Sequence, residues 1–371
     1  MRIAITKPHI STRNKILILL ILGIIVRLLF WSSKLSFVDN ESISHLRYAE
    51  SIMNLEIPKT QWIGTKDGFY SYESYPPSLY LITASFGIFA SNIFSFTLLA
   101  KIVSLIFSLL TLAVSAIYSL KMKNHYVIAL VALIPLEWFE SLPRFNNDIV
   151  VAFFASLVFL VALKEINAKN MIILALFTSL ALLSKFTAIL LLIPMLLYIW
   201  FNSKNLKFIL IFLAITAFIA GPWYLRNLLL YGDPLFVPYT EAEQAGPKSL
   251  AFFMEGYVFG FFPFCTLGYI EDIVILGVSV FLIYTIMRGL EERFRHMASS
   301  KIVDPAALFL PLIFVVWIAV KYVFPSGSAK YLLPALLPLA VISSSGTKNK
   351  YIVWFVSISF AYLFIKVLLT C

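Results

Sequence analysis

Long apolar runs alternate with short polar segments along most of the chain. A helix needs roughly 20 apolar residues, usually 17–25, to cross a hydrocarbon core about 30 Å thick. The run 171–201 is too long for one span and has Ser184-Lys185 at its middle, so we expect two short helices that meet at a polar turn. The pattern predicts eleven spans in all, near 14–31, 97–120, 126–142, 149–163, 170–184, 187–201, 207–225, 273–287, 306–323, 331–345 and 351–369.

The apolar segment 76–94 is interrupted by Pro76-Pro77 and Gly87, and we expect it to lie in the interface or to re-enter rather than to cross. With that choice the N-terminus and the Lys- and Arg-rich loops share one side, which is the inside by the positive-inside rule. The C-terminus is then outside. Fifteen of the 19 acids fall at the outer side, as do two long loops, 32–96 and 226–272. Long loops are commonly functional, so the outer or lumenal face is the predicted working face.

Composition supports an all-α, polytopic membrane protein formed by one transmembrane domain over 1–371, without a separate soluble domain. Hydrophobic residues are 61% of the 371, charged residues 13%, and the mean hydropathy is +0.91. These values exclude a soluble enzyme, a disordered protein and a nucleic-acid-binding module, so the lipid bilayer is a predicted partner and nucleic acid is not. The net charge of +10 follows from the basic inner loops. Two cysteines exclude a disulfide framework and a Cys-rich metal site.

The first candidate chemistry follows the first span, where Asp39 and Glu41 are two residues apart. Two such carboxylates can turn toward one point, where they take a proton or hold a hard divalent cation. Glu41, His45 and Tyr48 fall at helical spacing downstream. The alternative is a helix N-terminus, where Asp39 or Asn40 caps and Glu41 favours the dipole. The two interpretations are compatible, since one acid can cap while the other reacts.

Two further outer segments carry candidate residues. Asp148 sits at a predicted outer membrane edge four residues after Arg144, and the alternative there is again a cap for helix 149–163. Glu73 and Tyr75 precede the double proline, which fixes the start of an apolar helix. The prolines fit a turn onto an interfacial helix, and the two side chains before them are candidates for a pocket wall.

Cations at membrane depth form the last group: Lys185, Arg226 with Asn227, and Lys330 with Tyr331. Ionisable residues are costly there and indicate function by default. Three cations opposite a group of acids suggest a phosphate bound beside a reacting carboxylate. Snorkelling of the side chains to the interface is the alternative.

Taken together, these segments resemble the GT-C superfamily of integral-membrane glycosyltransferases, which includes protein O-mannosyltransferases, aminoarabinose transferases and oligosaccharyltransferase catalytic subunits. A family-39-like glycosyltransferase is the nearest likeness. The motif nearest the C-terminus begins with Lys330, where Arg is commoner in the family, and this weakens a bidentate phosphate contact. The matching segments, in family order, are Asp39-Asn40-Glu41 with Leu46-Arg47-Tyr48-Ala49, Tyr75-Pro76-Pro77-Ser78-Leu79, Arg144 to Asp148, Leu183-Ser184-Lys185, Gly221 to Asn227 with Tyr231-Gly232-Asp233-Pro234, and Lys330-Tyr331-Leu332-Leu333-Pro334.

The resemblance implies a GT-C-like fold with interfacial or re-entrant helices in the first outer loop. It also implies inverting sugar transfer from a polyprenyl-phosphate-linked donor to a lipid, glycan or protein acceptor on the outer face of the cell membrane, or of the ER membrane in a eukaryote. The catalytic candidates are Glu41, Asp39 and Asp148. Some members use a divalent cation such as Mg²⁺ or Mn²⁺ and others do not, so the metal stays open.

The implied residue roles complete the sequence-based hypothesis. The donor phosphate and lipid would contact Lys185, Arg226, Lys330, Tyr331 and Arg144, and the acceptor pocket would be formed by Glu73, Tyr75, His45 and Asn227. The main alternative is a transporter or flippase of a lipid-linked sugar, for which inverted repeats and a midplane site would be expected. The chain shows no internal repeat, and its acids lie at one face.

Overall fold

The computed structural model describes residues 11–32, 40–55, 76–90, 94–133, 145–232, 234, 269–300, 302–313 and 334–346. All regular elements in these ranges are helical. The helices are α1 (Thr12–Ser32), α2 (Asn40–Met53), α3 (Ser78–Ala90), α4 (Phe96–Lys121), α5 (His125–Leu133), α6 (Asp148–Val161), α7 (Ala168–Leu182), a 3₁₀ helix (Phe186–Leu191), α8 (Leu192–Ser203), α9 (Leu206–Tyr231), α10 (Tyr269–Ser300), α11 (305–313) and α12 (Leu336–Gly346).

Helix α6 lies at the centre of the bundle. Its residues Ile149, Val150, Val151, Ala152 and Ala155 are fully buried, and it packs against α4, α7 and α12. A helix that is apolar on all sides must be surrounded by other elements or by lipid. Here the neighbouring helices surround it, and the N-terminal end of α6 lies inside the protein, whereas the residues after its C-terminal end are exposed from Leu163 to Glu165.

Helix α9 is peripheral by contrast and packs mainly on α7. Its outer side is apolar, and Phe218 is 83% exposed in the absence of lipid. Three helical stretches in the described part of the chain are long and apolar enough to cross a membrane, by length and composition: Phe96–Lys121, Phe186–Ser203 and Leu206–Leu230. These apolar helices support a membrane protein.

The break predicted inside 171–201 is confirmed. Helix α7 ends at Leu182, a turn covers 183–185, and the chain resumes as the 3₁₀ helix at Phe186. The backbone of Lys185 is extended, and its N–H donates to Ala181 O at 3.0 Å. Ser184 donates its hydroxyl to Leu180 O, so the polar residues of the turn satisfy local carbonyl groups.

Two predicted helix ends were too early. Helix α9 continues to Tyr231, where Gly232 adopts the left-handed conformation at φ 75° that terminates many helices, so Arg226 and Asn227 are helical rather than the start of a loop. Helix α10 continues to Ser300 through the charged sequence that hydropathy assigned to a loop. Hydropathy marks where an apolar surface ends, whereas a helix with good intrinsic propensity continues into water.

Candidate functional site

Helix α6 begins at a buried ion pair. Lys185 Nζ donates to Asp148 Oδ1 at 2.5 Å, and the exposed fractions of the two residues are 3% and 0%. Asp148 is the first residue of α6, where the positive end of the helix dipole favours a carboxylate. The pair joins the start of α6 to the turn between α7 and the 3₁₀ helix.

The capping alternative for Asp148 is wrong. The N-cap position is Asn147, which makes no side-chain cap hydrogen bond, and Asp148 directs Oδ1 to Lys185 instead. Asn146 orients this start, because its Oδ1 accepts from the backbone N–H of Asp148 at 3.1 Å. The carboxylate therefore keeps one oxygen for the lysine, and its other oxygen is not used by the helix.

Several polar atoms around this pair have no partner among the described residues. They are Asp148 Oδ2, the Asn147 side-chain nitrogen and the Thr187 hydroxyl, all of them buried. Buried polar groups in native proteins are almost always hydrogen-bonded, so three unsatisfied groups on neighbouring residues indicate a place for a ligand, an ion or water. We call Asn147, Asp148, Lys185 and Thr187 the acid–lysine cluster.

The diproline segment and α9 both contact the turn that carries Lys185. The backbone N–H of Ser78 donates to Leu183 O at 2.9 Å, and the Tyr224 hydroxyl donates to Leu182 O at 2.8 Å. These bonds satisfy carbonyl groups that the end of α7 leaves free. Segments that are far apart in sequence thus converge on one turn.

Helix α2 reaches the same region through an aromatic layer. His45 Nδ1 and the Tyr80 hydroxyl oxygen are hydrogen-bonded at 2.6 Å, and the His45 ring meets the edge of Phe145 with ring centroids 6.5 Å apart. Tyr48 packs on Tyr80 at a centroid distance of 4.2 Å. Because His45, Tyr48 and Tyr80 are all buried, this layer fixes α2 and α3 against the residue that precedes Asn146.

His45 was predicted to line the acceptor pocket, and the structure places it in this packed layer. The predicted helical spacing of Glu41, His45 and Tyr48 is confirmed, since all three lie on α2. Glu41 falls in the first turn of α2, which begins at Asn40. The Glu41 side chain lies outside the described part of the structure.

Arg226 and Asn227 lie on α9 beside the turn. The Arg226 guanidinium is 4.7 Å from the centroid of the Trp223 ring and donates to Asn227 Oδ1 at 3.1 Å. Asn227 is buried, and Arg226 is half-buried. Trp223 Nε1 has no hydrogen-bond partner among the described residues. The cation is therefore held by its own helix, one turn after the tryptophan.

The remaining predicted site residues fall outside the described residues, and their roles stay predictions. They are Asp39, Glu73, Tyr75, Arg144, Lys330 and Tyr331. The described residues contain no group of three or more His, Cys, Asp or Glu side chains placed to hold a metal ion.

Sequence reasoning missed the polar neighbours of the acids. Asn147 and Thr187 were not singled out, although Asn147 stood inside the motif, and Thr187 was hidden in an apolar run. Tyr80 and Tyr224 stood inside segments that drew attention, but their hydrogen bonds to His45 and to Leu182 O could not be predicted, because a single tyrosine in an apolar helix carries no periodic signal. A polar residue flanking a candidate acid was the only available indication.

Comparison with known proteins identifies the architecture. The family described as a domain of unknown function, DUF8201, matches residues 69–245, slightly under half of the chain and including the acid–lysine cluster. No curated protein sequence matches. Similar solved structures, however, cover most of the chain.

Two of these structures come from membrane enzymes. The structure of ArnT from Cupriavidus metallidurans bound to undecaprenyl phosphate has a TM-score of 0.57 and 13% identity, over 90% of this chain and 59% of ArnT. The archaeal oligosaccharyltransferase AglB from Archaeoglobus fulgidus, in complex with an inhibitory peptide and a dolichol-phosphate, has a TM-score of 0.58 and 13% identity, over 95% of this chain and 55% of AglB.

The chain shares the helical fold of these two enzymes. The likeness to both enzymes extends over nine-tenths or more of its length, which confirms the predicted fold at the level of its helical architecture. The chain spans somewhat more than half the length of these relatives.

Proposed function

We propose that the protein is an inverting membrane glycosyltransferase that moves a sugar from a polyprenyl-phosphate-linked donor to a lipid, glycan or protein acceptor at the outer membrane face. The observation that carries the proposal is the buried Asp148–Lys185 pair with an unused Asp148 oxygen. A buried ion pair is seldom the most stable choice, so an apolar bundle that retains one has a use for its charges.

The reaction requires one bond to form and one to break at the anomeric carbon. An acceptor hydroxyl attacks that carbon while the bond to the donor phosphate oxygen breaks on the opposite face, so the configuration inverts. The hydroxyl proton passes to a carboxylate, and the polyprenyl phosphate leaves with the electron pair. A lipid phosphate needs stabilisation of its charge more than it needs an acid.

Asp148 suits the acceptor side of this reaction. Lys185 neutralises its charge and fixes its geometry, which leaves Oδ2 to accept a hydrogen bond from the acceptor. Asn147 and Thr187 offer further buried hydrogen-bonding groups to sugar or acceptor hydroxyls. Glu41, with Asp39 as the alternative, is the proposed base, because the aromatic layer of His45 and Tyr80 ties α2 to the start of α6.

Lys185 has three donor protons, so it can bind Asp148 and still serve the donor phosphate. Because Lys185 is paired with Asp148, the proposal gives a larger share of the phosphate binding to Arg226, Lys330 and Arg144. Tyr331 is the proposed lipid contact, and Glu73, Tyr75 and Asn227 are proposed for the acceptor side. If a divalent cation takes part, Asp148 and the acids at 39 and 41 supply the carboxylate oxygens that Mg²⁺ and Mn²⁺ prefer.

The direct test supplies membranes containing the full chain with radiolabelled polyprenyl-phosphate mannose, glucose or aminoarabinose, and identifies labelled lipid, glycan and protein. We expect transfer from one donor, lost in Asp148→Asn and retained in Glu291→Gln. Glu291 is a matched control because it is a carboxylate in ion pairs with Arg288 and Arg295, at the other end of the bundle. Transbilayer movement of the donor without a transferred product would favour the flippase instead.

A further inference from the structure

A cavity lies at the C-terminal end of α6. Its volume is about 520 Å³, within the usual range of roughly 300–1,000 Å³ for small-molecule sites. It is enclosed by the ends of α4, α6, α8, α10 and α12 and by the segment 302–306. The 14 residues of α6 rise by about 21 Å, so this cavity is remote from Asp148.

A charged edge lines one side of this α6 C-terminal cavity. Arg293 forms an ion pair with Asp304 and also donates to Ser345 Oγ at 3.0 and 3.1 Å. Three of the five guanidinium N–H groups are used in these contacts, which leaves two donors. Glu292 and His296 complete the edge, so one permanent cation stands beside two carboxylates.

The Tyr118 hydroxyl is the polar group in this cavity that lacks a partner. Tyr118 lines the cavity, is only 4% exposed and has no hydrogen bond to any described residue. A buried tyrosine hydroxyl normally finds one. Tyr198, on the opposite wall, shows the usual case, since its hydroxyl donates to Ala162 O at 2.8 Å. Tyr118 therefore has a free hydrogen-bonding group for a bound molecule.

The rest of the wall is apolar, and Met122, Phe159, Leu163 and Ile302 contribute to it. These residues stand where apolar helices end, which is the level of a bilayer surface. Among the residues that line the cavity, the polar groups are therefore confined to the charged edge and the two tyrosines, with Ser345 beside Arg293.

We propose that the α6 C-terminal cavity binds the headgroup of a phospholipid that carries a primary amine, of the phosphatidylethanolamine class. Arg293 and Tyr118 donate to its phosphate, Glu292 and Asp304 accept from its ammonium, and the apolar wall takes the first carbons of the acyl chains. A choline headgroup has no N–H to donate, and a glycerol headgroup has no positive charge for the two carboxylates. The basic pockets between membrane helices that bind anionic headgroups lack such carboxylates, and the presence of both charges here favours a zwitterionic headgroup.

The test uses the delipidated full chain in detergent, titrated with dioleoyl phosphatidylethanolamine, phosphatidylcholine or phosphatidylglycerol, with bound lipid counted by native mass spectrometry. We expect one phosphatidylethanolamine to bind at least about 10-fold more tightly than either other lipid, the effect of one charge-assisted hydrogen bond. Equal binding of the three lipids would overturn the proposal. So would equal competition by sn-glycero-3-phosphoethanolamine, which has the same phosphodiester and ammonium charges without acyl chains.

Two variants locate the site. Ala162→Phe fills the cavity and should weaken phosphatidylethanolamine binding about 10-fold, whereas Ala168→Phe, an identical change at an exposed position outside it, should not. Tyr118→Phe removes only a hydroxyl that makes no hydrogen bond to the described protein, so it should fold normally and bind about 2- to 10-fold more weakly. If Ala162→Phe lowers the unfolding temperature, its weaker lipid binding could come from misfolding, and the affinity of Tyr118→Phe then tests the site. Wild-type affinity in Tyr118→Phe would then place the lipid elsewhere.

Discussion

A lysine or arginine paired with an aspartate lies near each end of α6. The two pairs differ in their exposure to solvent and in how many of their polar atoms are hydrogen-bonded. Lys185 and Asp148 are almost completely buried, and Asp148 Oδ2 has no partner among the described residues. Arg293 and Asp304 keep about a fifth of their side-chain surface exposed, and Asp304 Oδ1 also accepts from the Ala306 N–H.

The Arg293–Asp304 pair contributes to the stability of the fold, whereas the Lys185–Asp148 pair keeps a carboxylate oxygen to which a substrate can bind. The Arg293–Asp304 pair has Ser345 and Ala306 as further partners and holds α10, the segment 302–306 and α12 together. The Lys185–Asp148 pair is deeply desolvated, and an interaction of that kind often contributes less stability than apolar packing would. We therefore expect changes at the N-terminal end of α6 to affect sugar transfer most, and changes at the C-terminal end to affect stability and lipid binding but not sugar transfer.

The largest effect is expected for the proposed base beside the N-terminal end. Glu41→Gln or Asp39→Asn should lower turnover by about 10²- to 10⁴-fold, because the amide cannot take the acceptor proton. The initial transfer rate at saturating donor measures this. Asp39→Asn leaves helix capping intact, since Asn caps as well as Asp, so its unfolding midpoint should be unchanged. If both variants and Asp148→Asn keep more than about a tenth of the rate, the proposed mechanism is wrong.

The buried pair itself separates stability from activity. Asp148→Leu or Lys185→Met alone leaves one uncompensated buried charge and should lower the free energy of unfolding by about 3–5 kcal/mol. The double variant removes both charges and should recover most of that loss, while sugar transfer remains absent. Thermal unfolding in detergent and the transfer assay give the two readouts. Recovery of transfer in the double variant would show that the pair is purely structural.

The close contact between α10 and α12 allows a test of packing near the C-terminal end of α6. A Cβ atom built on Gly289 of α10 would lie 1.9 Å from the backbone oxygen of Ile342 on α12, so Gly289→Ala must push the two helices apart. We expect a loss of about 1–3 kcal/mol in unfolding free energy, as for other overpacked sites.

Gly221 on α9 is the matched control for this contact. A Cβ there would meet nothing within 4 Å, so Gly221→Ala should be neutral or stabilise by up to about 1 kcal/mol through helix propensity. Equal unfolding midpoints for the two variants would contradict the close approach of α10 and α12.

The smallest effect is expected for the partly exposed pair. Asp304→Asn should cost about 1 kcal/mol of unfolding free energy, because solvent screens the charges and Arg293 keeps its hydrogen bonds to Ser345. Sugar transfer should be unchanged. A stability loss as large as that of Asp148→Leu would remove the distinction between the two ends.

The helical architecture could largely be predicted from the sequence, for physical reasons. Apolar runs as long as a bilayer is thick have few alternatives to helices, and one charged residue inside such a run was enough to predict the turn at Lys185. The helix ends at Tyr231 and Ser300 were missed because they depend on helix propensity and capping rather than on hydropathy.

The site was predictable only in its parts. Asp148 was recognised as an acid at a membrane edge and Lys185 as a cation at membrane depth, but the first was assigned to the catalytic residues and the second to the donor phosphate. They are 37 residues apart in sequence, and nothing in either local pattern states that α6 and α7 bring them together. The Asn147 and Thr187 groups became visible only as buried atoms without partners among the described residues, and Tyr118 only as a cavity-lining residue, and both observations require coordinates.

The separation of Asp148 and Lys185 along the chain also has a consequence for biosynthesis. Ribosomes add roughly 5–20 residues per second, so Asp148 emerges about 2–7 seconds before its lysine. During that interval α6 carries an uncompensated carboxylate at its leading turn, and α7 cannot cover it until the hairpin of α7 and α8 has entered the membrane with Lys185 at its tip. Insertion of that hairpin as a unit is then the step that commits the nascent chain to its final arrangement.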